Sequence, residues 1–113
     1  MDTPYIVVFT TINDELKARR LASLIIETGL VACVSISAPI FSTYRWQGNI
    51  ETEKEWLLII KTIRKNYHRL EKLIRTHHPY QTPEIVALPI TAGHAAYLRW
   101  LKENCRLIPD KVR

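Results

Sequence analysis

Three short segments of this chain are apolar on both of their faces, which is more surface than its helices can cover. Tyr5 to Phe9 reads as a strand, with Ile6 and Val8 on one side and Val7 and Phe9 on the other. Trp56 to Ile60 repeats the arrangement, setting Leu57 and Ile59 against Trp56, Leu58 and Ile60. The run from Glu84 to Thr91 does so again, with Ile85 and Ala87 against Val86, Leu88 and Ile90. A strand that loses its polar/apolar alternation needs cover on each side.

The remaining segments supply one layer of cover. Asn13 is read as a helix N-cap, with Asp14 and Glu15 in the first turn, where the helix dipole favours carboxylates. Ala18, Leu21, Ala22, Leu24 and Ile25 recur at helical spacing until Gly29 stops the helix. Leu30 to Trp46 is rich in β-branched and aromatic residues and reads as extended, with Pro39 marking a bulge, bend or edge. Gln47-Gly48-Asn49 is a turn, and Ile50 to Ile63 returns as a long strand. Glu51, Glu53 and Glu55 alternate there, as expected for a solvated hairpin tip. Asn66 is read as the cap of a second helix carrying Tyr67, Leu70, Leu73, Ile74 and His77 on one stripe, ended by Pro79. Gly93-His94 leads into a short helix through Trp100 and Leu101, and the tail from Arg106 to Arg113 has no assigned structure. The order is βαββαβ plus a terminal helix. It predicts one α+β, ferredoxin-like domain over residues 1–113, with a long hairpin between its second and third strands and an extra C-terminal helix.

Both crossover helices of that fold lie on one face of the sheet. Burying a large aliphatic side chain is worth roughly 1.5–3 kcal/mol, so leaving about six of them in water would forfeit on the order of 10 kcal/mol. That rivals the stability of a whole domain, and another copy of the chain is the economical cover.

Composition narrows the classes. No apolar run approaches the ~20 residues that span a bilayer, and the opening Met1-Asp2-Thr3-Pro4 has no basic leader, so a cytoplasmic protein is expected. Cys33 and Cys105 form no framework or metal knuckle and are read as small buried hydrophobes. The net charge of +5 is spread along the chain. Lys17-Ala18-Arg19-Arg20 sits on a helix with apolar partners, which reads as a solvated face and not a nucleic-acid surface.

Candidate chemistry centres on His77-His78. Adjacent helical residues project about 100° apart, so one ion cannot easily take both rings while the helix stays regular. A third ligand, such as His94, a carboxylate or a second subunit, would be needed. The glutamate ladder is a weak candidate for acid/base work, and neither cysteine has a visible activating base. With three unclustered glycines there is no phosphate loop, so no enzyme is expected. Tyr44, Trp46, Tyr80 and Trp100 read as core or interface aromatics.

The run His77-His78-Pro79-Tyr80-Gln81-Thr82-Pro83-Glu84 resembles the signature of the CutA family, the divalent-ion tolerance proteins. Leu30-Val31-Ala32-Cys33-Val34, Tyr44-Arg45-Trp46-Gln47-Gly48, Glu53, Glu55, Lys61, Thr62, Leu88 to Thr91 and Tyr97 to Leu101 extend the likeness over about residues 5 to 103. The resemblance implies a compact homotrimer that binds divalent metal ions, Cu²⁺ first, in the response to metal, with His77 and His78 as ligands. The cysteine that the family places on the first strand is Thr10 here. A neutral hydroxyl is a far poorer copper ligand than a thiolate, so weak imidazole-only binding is expected. The rival reading is a signalling trimer, similar to PII proteins, whose inter-subunit cleft near Trp46, Lys61, Tyr80 and Glu84 holds a small anion or metabolite.

Overall fold

The computed structural model describes residues 3–106. Five strands and three helices follow in the order β1 (Tyr5–Ile12), α1 (Glu15–Glu27), β2 (Val31–Ile36), β3 (Ile40–Trp46), β4 (Asn49–Ile63), α2 (Tyr67–His77), β5 (Val86–Pro89) and α3 (Ala95–Glu103). All pairings are antiparallel, and the main sheet runs β2-β4-β1-β5, with β3 joined to the outer half of β4. Counting β2 and β3 as one interrupted strand, this is the ferredoxin-like arrangement that the element order predicts.

The interruption falls at Pro39, whose missing N–H cannot serve a ladder. At its neck, the Ser37 hydroxyl accepts from the Leu57 N–H at 3.0 Å, and the Ser37 N–H donates to the Leu57 carbonyl at 2.9 Å. β4 therefore spans both pieces, pairing with β2 from Leu58 to Thr62 and with β3 from Asn49 to Glu55. Trp46 pairs with Asn49 across a two-residue loop in which Gln47 (φ 49°) and Gly48 (φ 83°) are both left-handed. That is the hairpin turn whose twist matches the strands it joins, and it is why glycine stands second.

Two capping assignments move. The cap of α1 is Asp14, whose Oδ1 accepts from the Lys17 N–H at 2.9 Å, while Asn13 instead donates to Glu53 across the chain. Asn66 closes a 3₁₀ turn (Arg64–Asn66) ahead of α2 but makes no side-chain cap. Its buried Nδ2 donates to the carbonyls of Leu30 at 2.8 Å and Arg106 at 2.7 Å, tying three distant segments together. β5 is shorter than the expected Glu84–Thr91 run, and the tail from residue 107 on lies outside the described residues.

One sheet face packs on α1 and α2: Ile6, Val8, Ile12, Leu58 and Ile60 meet Leu21, Ile25, Leu70 and Ile74 in a single core. Register puts Val7 opposite Leu88, and Phe9 opposite both Ile59 and Val86, on the other face. There α3 covers one corner, where Tyr97 lies over Lys61 and beside Cys33. Val86 and Leu88 remain 45% and 46% exposed, and Phe41 on the hairpin 76%. The expected surplus of apolar surface is present.

Candidate functional site

A cleft of about 710 Å³ lies at the root of the hairpin, between β3, β4 and the loop after α2. Its walls include Tyr44, Trp46, Glu53, Glu55, Tyr80 and Glu84, and among the described residues no lysine or arginine lines it. Glu53 and Glu55 share one face of β4 because strand side chains alternate. Glu53 accepts from the Tyr44 hydroxyl at 3.0 Å and from Asn13 Nδ2 at 3.1 Å. Glu55 accepts from the Tyr80 hydroxyl at 2.7 Å.

These glutamates are not a uniformly solvated ladder. Glu55 is 5% exposed, because Tyr80, 25 residues along the chain, folds over it. Burial and then the Glu55 hydrogen bond push the Tyr80 phenol well above its ordinary range, and the Glu53 hydrogen bond raises that of Tyr44. Both phenols therefore stay protonated donors. These hydrogen-bond partners of the two glutamates are neutral, and Glu84 lines the same cleft, in a chain of net charge +5.

The histidine pair is separated by the end of α2. His77 is the last helical residue and is exposed, bordering a groove with Lys17 and Arg20. His78 leaves the helix in an extended conformation (φ −78°, ψ 139°), as the residue before Pro79 must. Its ring turns inward and is 7% exposed. Nε2 lies 2.8 Å from the Thr11 carbonyl and Nδ1 accepts from the Tyr80 N–H at 3.1 Å, which selects the neutral tautomer with the proton on Nε2. With both nitrogens engaged, His78 has no lone pair to give a metal, and its ring orients Tyr80, 4.7 Å away. Within one chain the two imidazoles do not converge. Thr10 is fully buried on the helical side of the sheet with its hydroxyl unpaired, so it offers no exposed ligand either. Among the described residues no group of three or more His, Cys, Asp or Glu is placed to hold an ion.

Of the residues expected at an inter-subunit cleft, Trp46, Tyr80 and Glu84 line this cleft within one chain, and Lys61 is not among its lining. Lys61 Nζ lies 5.6 Å from the Tyr97 ring centroid, on the sheet face that α3 covers. Thr11 and Asn13 do line the cleft, and no local signal marked them. His94 stands at the start of α3 as its N-cap.

Burial lowers the pKa of His78, opposed in part by the Thr11 carbonyl and the charge of Glu55. The unfolded chain then takes up a proton at this position at a higher pH than the folded one. The His78 contribution to stability is complete above about pH 6.5 and is lost as pH falls below it. Thermal midpoints measured from pH 8 to 5 should decline more steeply for the native chain than for His78→Gln, and parallel profiles would refute the assignment.

Comparison with known proteins completes the picture. The family model described as CutA1 divalent ion tolerance protein matches residues 6–104. The divalent-cation tolerance protein CutA of Thermus thermophilus is 44% identical over 98 residues, covering 87% of this chain and 95% of that one. A chloroplastic CutA 1 of Oryza sativa is 43% identical over 103 residues, covering 91% of this chain and 58% of that longer protein. The crystal structure of CutA1 from Shewanella sp. SIB1 superimposes with a TM-score of 0.89 at 37% identity, covering 93% of this chain and 98% of that one. With the βαββαβ order, the long hairpin and the acidic cleft at its root, this chain belongs to the CutA1 divalent ion tolerance family.

Proposed function

We propose that the protein is a cytoplasmic homotrimer that takes part in divalent-cation tolerance by binding the ion in the cleft at the hairpin root, with no catalytic step. The observation that carries this reading is the pairing of Glu53 and Glu55, held by neutral donors in a cleft without a lysine or arginine. Carboxylate and hydroxyl oxygens suit hard and borderline divalent ions. Copper, the ion named by the resemblance, meets no convergent imidazole or thiolate set among the described residues, so its binding is expected to be weak. Because the described residues of one chain bring together no complete ligand set, neighbouring copies supply the rest. The apolar face at Val7, Phe9, Ile59, Val86 and Leu88 supports such an assembly. An anion in this cleft is disfavoured by its charge and by the distant placement of Lys61.

Calorimetric titration of Mn²⁺, Zn²⁺ and Cu²⁺ tests the ligand assignment. Glu53→Gln/Glu55→Gln should weaken Mn²⁺ and Zn²⁺ by about 10-fold or more, since a hydrogen bond or contact to a charged group is worth roughly 1.5–3 kcal/mol. His77→Ala should change them by less than about 2-fold. The reverse pattern would return the site to the histidine.

A further inference from the structure

We infer that the groove where the first turns of α1 meet the end of α2 is an anion site, fitted to a phosphate monoester on a small apolar body. The groove measures about 300 Å³. Lys17 and Arg20, three residues apart on α1, share a helix face, and His77 meets them from the last turn of α2. Among the described residues no carboxylate lines it.

The two acids at the start of α1 are already engaged. Asp14 caps the helix by accepting from the Lys17 backbone N–H, and Glu15 pairs with Arg19 at 2.9 Å. Glu27 lines a neighbouring depression that shares Arg20 and Leu24 with this groove, and it forms no ion pair with Arg20. Among the described residues Lys17 and Arg20 form no ion pair, so two cations and an imidazole converge without an internal partner. That arrangement repels a metal ion and matches a dianion. A guanidinium presents a planar fork to phosphate oxygens, Lys17 adds a point charge, and the His77 ring can donate its N–H. The groove is otherwise walled by Ile12, Leu21, Leu24 and Pro79, which favours an ester with an apolar body over free phosphate. All these residues belong to one chain and lie on the helical side of the sheet, opposite the apolar face of Val7 and Phe9. The inference is therefore independent of the assembly and of the cation reading above.

Phenyl phosphate and inorganic phosphate are the probes, titrated at constant ionic strength into the isotopically labelled full chain while the His77 ring and Arg20 Nε signals are followed. Saturable shifts are expected, with phenyl phosphate binding more tightly than inorganic phosphate. Lys17→Gln and Arg20→Gln should each weaken it by about 10-fold, as loss of a charge-assisted contact does. Arg19→Gln, whose native partner is Glu15, should weaken it by less than about 2-fold. All three side chains are exposed, so the substitutions leave the fold intact. Shifts that drift without saturating, or an affinity unchanged in Arg20→Gln, would overturn the site. So would equal losses in all three variants, which would mark general charge attraction. Equal affinity for the two probes would overturn the apolar-body assignment.

Discussion

In the proposed homotrimer, Leu88→Glu should reduce the particle from three chains to one of 13.2 kDa and lower its thermal midpoint by about 10 °C or more. Leu88 pairs with Val7 on the sheet face that α1 and α2 do not cover. A carboxylate there costs little in a lone chain, because the position is 46% exposed. Beneath a neighbouring copy in the proposed assembly it would become a buried charge without a partner, and an uncompensated buried charge costs roughly 3–5 kcal/mol. Closed symmetry repeats that cost at every interface. Leu16→Glu is the matched control: Leu16 is also an exposed leucine, but it sits on α1, so mass and midpoint should stay native. Light scattering at micromolar concentration decides the matter. A native particle with the mass of a single chain would remove the premise, and with it the need for ligands from neighbouring copies.

Asn66→Ala should destabilise the fold by about 2–4 kcal/mol, read as a lower denaturant midpoint at unchanged slope. The side chain is fully buried and donates to two carbonyls, one closing β2 against the helices and one holding the segment after α3. Removal strips the Arg106 carbonyl of this donor, whereas the Leu30 carbonyl keeps the Thr62 hydroxyl at 2.6 Å. Asn66→Asp should be as damaging, since a carboxylate cannot donate to either carbonyl and is buried without a cation. A loss below about 0.5 kcal/mol in both variants would show that neither bond matters.

The course of the chain was legible wherever a residue's neighbours in sequence are its neighbours in space. The doubly apolar strands, the Gly29 stop and the Gln47-Gly48 turn all follow from local geometry, and so did the surplus face. The one-residue error at the α1 cap arose because asparagine and aspartate cap equally well, and only the contact between Asn13 and Glu53 separates them. Asn66 looked like a cap for the same reason, yet its partners lie 36 and 40 residues away. The cleft was hidden likewise. Glu55 alternates as a surface residue would, and only the return of Tyr80 buries it. The histidine pair stands where α2 ends, and because the residue before a proline does not continue a helix, that turn sends the two rings in different directions.

The 15-residue β4 has a consequence for how this architecture can vary in length. Its inner half is laddered to β1 and β2 at once, so one residue gained or lost there would invert every side chain beyond it relative to two partners. Its outer half answers to β3 alone. Insertions and deletions are thus channelled toward the distal loop and must come in matched pairs, one residue per arm, lengthening or trimming the hairpin like a telescoping rod while its base stays unchanged.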